Sequence, residues 1–278
     1  MTVRARVTAI ILCFLVLPLI HRVASAQEIS TILMNNTFEI MGNGPKIGQR
    51  VSGTGFIMGI PRKDNPNLGD TVLITAAHVL NGMSGDSATI LLRQMDDRGS
   101  YSRYPYPLPI RKNGVNLYIT NPDADVAVMY VNLPMDSRIE GLSTQLLTDD
   151  SRLEQLQVHP GDGLLCLGFP LGIDFNGFPI LRTGRLASYP ITPAKSVKRY
   201  LFTFHIFPGN SGGPVYFSFA NRFFGGATRI GIQQGVIGLV SEQINSALPE
   251  YKNNGLDVAV VVPSAYILET IAQLPAIH

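Results

Sequence analysis

Short apolar runs separated by turn sequences are the main pattern along this chain. Runs of this kind, bounded by Gly, Pro and Asn, are typical of β-strands. The turn signals include Asn65-Pro66-Asn67 and Lys112-Asn113-Gly114, which are common in the tight connections between antiparallel strands. The pattern therefore predicts an all-β, barrel-like fold. The clearest runs are Gly55 to Ile60, Thr71 to Ile74, Ala88 to Leu92, Val115 to Ile119 and Val126 to Val131.

The predicted strands fall into two series, which indicates two lobes. A polar stretch over residues 132–156 separates the series, and the second one begins near Gly163. We therefore expect an N-terminal β-barrel lobe over residues 27–155 and a C-terminal β-barrel lobe over residues 156–278. Near the end of the chain, residues 264–274 carry apolar side chains at helical spacing. This segment predicts a C-terminal helix whose role is packing.

The first residues have the pattern of a secretory signal peptide. Arg4 and Arg6 precede an apolar run from Ala9 to Ile20, and Ala24-Ser25-Ala26 has the small-x-small pattern of a signal-peptidase site. We expect residues 1–26 to be removed and the mature protein to be secreted or periplasmic. The alternative is a retained membrane anchor, for which the apolar run falls short of the roughly 20 residues that a spanning helix needs.

Removal of this segment leaves a nearly neutral protein. The full chain has 22 basic and 20 acidic residues, and the segment contains three arginines and no acid, so 19 basic residues remain against 20 acidic ones. No basic block and no stripe of aromatic and basic residues remains. We therefore expect no nucleic-acid partner and no membrane association of the mature form.

The cysteines and histidines indicate neither a disulfide nor a metal site. Cys13 lies in the predicted signal peptide, so Cys166 is alone in the mature chain and has no partner for an intramolecular disulfide. Cys166 sits in an apolar strand pattern, which favours a buried structural thiol. No His or carboxylate cluster has the spacing of metal ligands, so we expect no metal ion and no other cofactor.

The segment Gly209-Asn210-Ser211-Gly212-Gly213-Pro214 is the strongest candidate for chemistry. Its three glycines permit backbone turns with positive φ and a close approach of substrate, so that several N–H groups point into one small space. Ser211 is therefore the candidate nucleophile, although a glycine-rich turn of this kind also occurs in purely structural loops. A serine hydroxyl is inert at neutral pH unless a base and an orienting partner activate it.

Candidates for both partners lie upstream of the serine. His78 follows the apolar run Thr71 to Ile74, so we expect it at the end of a buried strand. Asp125 directly precedes the apolar run Val126 to Val131, where burial beside an imidazole N–H would fix the tautomer of the histidine. Asp123 is the neighbouring carboxylate that competes with Asp125 for this role.

The chain order His, Asp, Ser, with Gly-Asn-Ser-Gly-Gly-Pro around the serine, strongly resembles the chymotrypsin-like serine proteases. The likeness is closer to their bacterial HtrA-type relatives, and it covers about residues 50–275. It implies two six-stranded antiparallel β-barrels with a C-terminal helix, and a site that lies between the lobes. Further segments that resemble the family are Ser52 to Ile57, Leu167 to Gly172, Thr183 to Ser188, Gly238 to Ser241 and Val261 to Ser264.

The resemblance implies a role for each site residue. Ser211 attacks a peptide carbonyl, His78 takes its proton and Asp125 steadies the imidazolium, while the backbone N–H groups of Gly209 and Ser211 form the oxyanion hole. The expected partner is a protein or peptide substrate, and the oligomeric state is left open. An α/β-hydrolase also has a Gly-x-Ser-x-Gly motif, but that fold needs its acid and histidine after the serine, where only His278 is found.

Two further residues fall at positions where this family binds substrate. Ser241 matches the serine in the wall of the primary pocket, and either it hydrogen-bonds Asp125 or it is an ordinary strand serine that is satisfied elsewhere. His205 falls at the base of that pocket, where a histidine would bind an acidic or amide side chain. The competing interpretation is that His205 points away and hydrogen-bonds the backbone.

The sequence also departs from the family in informative ways. Asn210 stands where digestive relatives carry an aspartate that pairs with a newly cut N-terminus, so we expect an enzyme that is active once folded and exported. The chain stops just after the predicted closing helix, so we expect no regulation by a PDZ domain in cis. Residues 216–234 form either an extended hairpin or a longer contact loop. A protein of this fold that binds peptides without turning them over is the alternative function.

Overall fold

The structure is a computed structural model, and it describes residues 28–62, 69–134, 139, 141–224, 226–245 and 255–276. The predicted signal peptide therefore lies outside the described residues. The strands are β1 (Thr37–Asn43), β2 (Arg50–Pro61), β3 (Gly69–Thr75), β4 (Ser87–Met95), β5 (Tyr101–Pro109), β6 (Arg111–Lys112), β7 (Val115–Asn116), β8 (Ile119–Thr120), β9 (Ala127–Tyr130), β10 (Gly163–Gly168), β11 (Ile180–Arg185), β12 (Tyr200–Phe202), β13 (Pro214–Phe224), β14 (Ala227–Asn245) and β15 (Gly255–Pro263). The helices are α1 (Ile29–Asn36), α2 (Ala77–Asn81), α3 (Asp150–Gln155), α4 (Ala194–Val197) and α5 (Ser264–Ala272), with 3₁₀ turns at Thr144–Leu146 and Pro170–Gly172.

Two antiparallel sheets form the body of the molecule. The first has the order β5-β4-β1-β2-β3-β9-β8, and the second has the order β11-β10-β13-β14-β15-β12. In the second sheet, a bridge between Leu186 and Phe202 joins the ends of the two outer strands and closes the sheet on itself. The predicted all-β fold with a C-terminal helix is confirmed. The first sheet has seven strands because the two residues of β8 add a short edge beside β9.

Each sheet buries its own apolar face, as the alternation along the strands predicts. Buried side chains at the centre of the first lobe include Phe38, Ile40, Phe56, Leu73 and Val128. Buried side chains at the centre of the second lobe include Tyr200, Phe202, Val215, Phe217 and Val261. The β-branched and aromatic residues that dominate both sets pack well on a pleated surface, which is why the sequence favours strands here.

The C-terminal helix α5 joins the two lobes and does not pack on the second one alone. Its Tyr266 and Ile267 are buried in a cluster that holds the first-lobe core together with side chains of the second sheet such as Leu239 and Val262. On the first-lobe side, the amide of Asn121 donates to the hydroxyl of Thr270 at 3.2 Å, and the hydroxyl of Tyr130 donates to the carbonyl oxygen of Pro275 at 3.0 Å. The predicted packing role of this segment therefore includes holding the lobes together.

Strands β13 and β14 form a long hairpin, which decides between the two interpretations of residues 216–234. The strands pair from Pro214 opposite Leu239 out to Phe224 opposite Ala227, with two register shifts along the way. The segment is therefore an extended hairpin. Among the described residues, the structure contains no helix that is long and apolar enough to cross a membrane.

Candidate active site

The pairing of β3 with β9 brings His78 and Asp125 together. Thr75, the last residue of β3, lies opposite Ala127, the first residue of β9. His78 comes three residues after this pair and lies in the short helix α2, while Asp125 comes two residues before it. The antiparallel register therefore makes the two residues neighbours, with His78 in the helix just after β3 and Asp125 just before β9.

Asp125 accepts three hydrogen bonds, two of them from His78. Its Oδ2 lies 2.7 Å from His78 Nδ1, and its Oδ1 accepts the backbone N–H of His78 at 2.9 Å. The hydroxyl of Ser241 donates to Oδ2 at 2.6 Å. Half of the His78 side chain is exposed, whereas the Asp125 side chain is only 26% exposed. The carboxylate is thus the more buried member of the pair, and the imidazole is the more exposed one.

The surroundings of Asp125 keep its carboxyl group ionised. Burial raises the pKa of Asp125, but the hydrogen bonds from His78 and Ser241, together with the attraction of the imidazole, outweigh burial and lower the pKa below its ordinary value. An ionised carboxylate accepts hydrogen bonds only, so Nδ1 of His78 must carry the proton. With the proton on Nδ1, Nε2 is the ring nitrogen that can accept a proton from a hydroxyl group.

Ser211 lies in a tight loop whose shape depends on glycine. Gly209 and Gly212 have φ values of +98° and +87°. A Cβ atom on Gly209 would lie 2.1 Å from the carbonyl oxygen of Phe169, and one on Gly212 would lie 2.1 Å from the carbonyl oxygen of Thr54. Both glycines are therefore required by backbone conformation and by the close approach of neighbouring strands.

The hydroxyl of Ser211 connects to the His78–Asp125 pair through Ser241. Ser211 Oγ donates to the carbonyl oxygen of Ser241 at 2.9 Å, and the side chain of Ser241 donates to Asp125. In the described part of the chain, no direct hydrogen bond joins Ser211 to His78. The three residues predicted from the sequence therefore converge at one place, with Ser241 of the second lobe in contact with both ends of the group. The role of Ser241 as a wall of the substrate pocket stays a prediction.

The backbone around Ser211 leaves two N–H groups available for an oxyanion. Within the described residues, neither the N–H of Gly209 nor that of Ser211 donates to another protein group. The carbonyl oxygens of the same residues are occupied, because the hydroxyl of Thr54 donates to Gly209 at 2.6 Å and the N–H of Thr54 donates to Ser211 at 2.7 Å. The loop thus turns its acceptors toward the first lobe and leaves two donors unused.

Thr54 is a residue that the sequence analysis did not single out. It is fully buried, and its hydroxyl also accepts the N–H of Phe169 at 3.2 Å. The segment Ser52 to Ile57 marked its strand as similar to the family, but nothing in the local pattern of a strand threonine indicates a contact with a loop more than a hundred residues away. Only the packing of β2 against that loop makes Thr54 part of the site.

Asn210 is buried beside the nucleophile and carries no charge. It is 1% exposed, and neither its Oδ1 nor its Nδ2 has a hydrogen-bond partner among the described residues. Leaving a buried amide unpaired costs free energy, and an unpaired carboxylate at the same place would cost more. An asparagine is therefore the less costly of these two residues in this loop.

His205 pairs with Asp257, a partner that the sequence analysis missed. Its Nδ1 lies 2.5 Å from Asp257 Oδ1, and its ring packs 4.5 Å from that of Phe207. The contact lies just beyond a strand pair, since Phe202 at the end of β12 lies opposite Ala259 of β15, with His205 three residues after Phe202 and Asp257 two residues before Ala259. Within the described residues, no hydrogen bond connects His205 with Ser211 or His78. The role of His205 in the primary pocket stays a prediction.

The competing carboxylate Asp123 lies in the same turn as Asp125. Its backbone N–H donates to the side chain of Asn121 at 2.9 Å, and no hydrogen bond joins it to His78 among the described residues. Across the same residues, no group of three or more His, Cys, Asp or Glu side chains could hold a metal ion. The buried thiol of Cys166 has its pKa raised to about 12 by burial, so it is protonated and inert at neutral pH.

Both the sequence and the fold are similar to those of known proteins. A family model of the trypsin-like peptidase domain matches residues 53–225, more than half of the chain. The crystal structure of the active form of the Rv3671c protease from M. tuberculosis is similar, with a TM-score of 0.50 and 16% identity over 90% of this chain and 86% of that one. The crystal structure of the protease Anisep from Arthrobacter nicotinovorans has a TM-score of 0.49 and 14% identity over 86% and 94% of the two chains. No curated protein sequence matches the chain.

Proposed function

This chain belongs to the trypsin-like peptidase family, and we propose that it is an exported serine endopeptidase that cleaves protein or peptide substrates through an acyl-enzyme. The observation that carries this proposal is the hydrogen-bonded series from Ser211 through Ser241 to Asp125 and on to His78, which spans both lobes. A serine, an imidazole and an ionised carboxylate linked in one hydrogen-bonded series are the groups that acyl transfer requires.

The proposed reaction assigns one role to each residue. Ser211 Oγ attacks the scissile carbonyl carbon while His78 Nε2 takes the hydroxyl proton, and Asp125 stabilises the imidazolium through Nδ1. The N–H groups of Gly209 and Ser211 hold the oxyanion of the tetrahedral intermediate. His78 then gives the proton to the leaving amine, and water attacks the acyl-enzyme in the same way. The first step requires the Ser211 hydroxyl to turn from the Ser241 carbonyl toward His78.

Export and maturation belong to the same proposal. The pattern of residues 1–26 supports cleavage after Ala26 and release into the periplasm or the medium. The uncharged Asn210 supports an enzyme that needs no new N-terminal ammonium for activity. Recovering the protein from a secreting host and sequencing its N-terminus checks the first point: the proposal expects Gln27 as the first residue, and an intact Met1 on a membrane-bound protein contradicts export by cleavage.

The decisive experiment on catalysis is labelling by a serine-directed fluorophosphonate. We expect the purified protein to react at Ser211, as shown by peptide mapping, and to cleave members of a peptide library. Ser211→Ala is expected to lose both properties because it lacks the nucleophile, and Asp123→Asn serves as a matched control that keeps them. Folded wild-type protein that is not labelled by the fluorophosphonate and cleaves no peptide would contradict the proposal.

A protein of this fold that binds peptides without cleaving them is the second candidate. The observation that favours it is the direction of the Ser211 hydroxyl, which donates to the Ser241 carbonyl and not to His78. Such a protein would bind peptide ligands and stay unlabelled by the fluorophosphonate. A latent enzyme gives a third pattern, in which labelling begins only after limited proteolysis or the addition of a substrate-like peptide.

A further inference from the structure

A loop of the second lobe lies directly against the peptide unit that would form the oxyanion hole. This loop, residues 169–178 between β10 and β11, is called the bracing loop below. The backbone N–H of Leu171 donates to the carbonyl oxygen of Pro208 at 2.7 Å. The peptide bond from Pro208 to Gly209 is trans, so its C=O and N–H point in opposite directions. A hydrogen bond that fixes the Pro208 carbonyl therefore also fixes the direction of the Gly209 N–H.

The conformation of Leu171 depends on support from outside the bracing loop. Its φ is +55°, in the left-handed region that a leucine adopts at a cost in free energy. The Leu171 side chain is mostly exposed, at 62%, so burial of the side chain does little to hold the residue in place. Hydrogen bonds within the loop, from Gly172 N–H to Phe169 and from Ile173 N–H to Pro170, hold its turn, and contacts of the loop with the first lobe add support from outside.

Arg103 of β5, in the first lobe, supplies such contacts. Its Nη2 donates to the carbonyl oxygen of Gly172, the residue after Leu171, at 2.9 Å, and pairs with the carboxylate of Asp174. Its Nη1 lies 3.5 Å from Oε2 of Glu39. The side chains of Asp174 and Glu39 are only 9% and 2% exposed, so Arg103 brings its charge against two buried carboxyl groups. Burial raises the pKa of Glu39, and the nearby Arg103 opposes this shift without cancelling it.

A second arginine holds the far end of the same loop. Arg93 donates to the carbonyl oxygen of Gly177 at 3.1 Å and to that of Thr37 in β1 at 3.0 Å. Its guanidinium lies between the rings of Phe38 and Phe178, 4.3 and 4.6 Å from their centroids. Arg93 is almost fully buried and is therefore part of the core. Arg103, whose side chain is 39% exposed, can be replaced with less damage to packing.

We propose that Arg103 is a positioning residue for the oxyanion hole. It anchors the bracing loop to the first lobe so that the N–H of Leu171 holds the Pro208 carbonyl and keeps the N–H of Gly209 directed at the substrate. Arg103 does not touch the reacting atoms. The proposal rests on the proposed peptidase function, because it assigns a role within that site.

The test compares Arg103→Gln with Arg103→Lys and with the control Arg98→Gln, which lies in the exposed turn between β4 and β5. Loss of one oxyanion donor lowers kcat by about 10²- to 10³-fold, so a donor that is only misdirected for part of the time should lower kcat by about tenfold or more. We expect this loss in Arg103→Gln with KM changed by less than about twofold. Arg103→Lys keeps the charge and should recover part of kcat, and Arg98→Gln should match the wild type.

Hydrogen exchange gives a readout that does not depend on activity. Peptides that cover residues 169–178 and 207–212 should exchange faster in Arg103→Gln than in the wild type, and peptides around His78 should not. If Arg103→Gln fails to fold, Asp174→Asn removes the same ion pair from the other side and carries the same expectations. An inert wild type would overturn the proposed function, while the exchange rates would still decide whether Arg103 holds the loop. An active wild type whose kcat and exchange rates are unchanged in Arg103→Gln would overturn the inference, as would a lower melting temperature with kcat unchanged.

Discussion

The two halves of the candidate site are held in different ways. His78 and Asp125 lie 47 positions apart and are joined by the pairing of neighbouring strands of one sheet. The loop that contains Ser211 is held by residues of the other lobe, since Thr54 bonds to both Gly209 and Ser211. The acid and base are thus brought together by strand pairing within the first lobe, with an added hydrogen bond to Asp125 from Ser241 of the second lobe. The nucleophile and the oxyanion donors are set at the contact between lobes.

This difference predicts how far the effect of a substitution will extend through the site. A change at the His78–Asp125 pair should remove its own chemical role and leave the loop unchanged. A change in the first lobe at a residue that contacts the loop should alter the oxyanion donors of the second lobe. Substitutions in the His78–Asp125 pair and at the contacts of the Ser211 loop can separate these two behaviours.

Asp125→Asn should lower kcat by about 10⁴-fold with little change in fold, because an amide no longer fixes the histidine tautomer or stabilises the imidazolium. The measurement is kcat on a cleaved peptide, with thermal unfolding to confirm that the variant folds. Asp123→Asn is the matched control in the same turn and should retain wild-type kcat. Activity of Asp125→Asn within tenfold of the wild type would argue against this assignment of the acid.

Thr54→Val removes one hydroxyl and keeps the volume of the side chain. It leaves the buried carbonyl of Gly209 and the N–H of Phe169 without this partner, which should cost about 1–3 kcal/mol of the free energy of unfolding. It should also lower kcat by about tenfold to a hundredfold, because Gly209 is an oxyanion donor. Urea unfolding and kcat are the measurements. Thr54→Ser keeps the hydroxyl and should stay close to the wild type; an equal loss in both variants would point to packing and not to the hydrogen bonds.

Ser241→Ala tests the contact that joins the two halves. The pKa of Asp125 is lower in the folded protein than in the unfolded chain, so the ionised carboxylate stabilises the fold above the unfolded value of about 3.9, and this contribution is lost as the pH falls through the folded value. Removing the Ser241 hydroxyl should lower the free energy of unfolding by about 1 kcal/mol at pH 7. The difference from the wild type should shrink below about pH 4. A difference that is constant from pH 7 to pH 3 would show that the Asp125 charge is not involved.

His205→Ala should have the smallest effect on the rate and the clearest effect on selectivity. If His205 forms the base of the primary pocket, the variant will lose its preference among acidic, amide and apolar side chains at the cleaved bond while reacting with a fluorophosphonate within about twofold of the wild-type rate. Cleavage profiles from a peptide library make the comparison, with Asp257→Asn as a second variant that removes only the partner of the imidazole. An unchanged profile would remove His205 from the pocket.

The secondary structure and the positions of the site residues next to strands could be predicted from the sequence, because both depend on local pattern. The alternation of apolar runs and turns predicted the two β-rich lobes, and the helical spacing in residues 264–274 predicted α5. The glycines around Ser211 predicted backbone turns with positive φ, and Gly209 and Gly212 adopt such values. The positions of His78 and Asp125 next to apolar runs predicted strand ends, since short-range pattern determines where a strand begins and ends.

Other features were decided only by the tertiary structure. Thr54 and Gly209 are 155 positions apart, Ser241 and Asp125 are 116 apart, and Arg103 reaches Gly172 over 69 positions. Nothing near any one of these residues specifies its partner, because side-chain contacts of this kind follow from strand register and from how the two lobes pack. The sequence by itself determined the strands and the residue types available for acyl transfer. The packing of the first lobe against the Ser211 loop decided which way the Gly209 and Ser211 carbonyls face, and therefore which N–H groups remain free to meet a substrate.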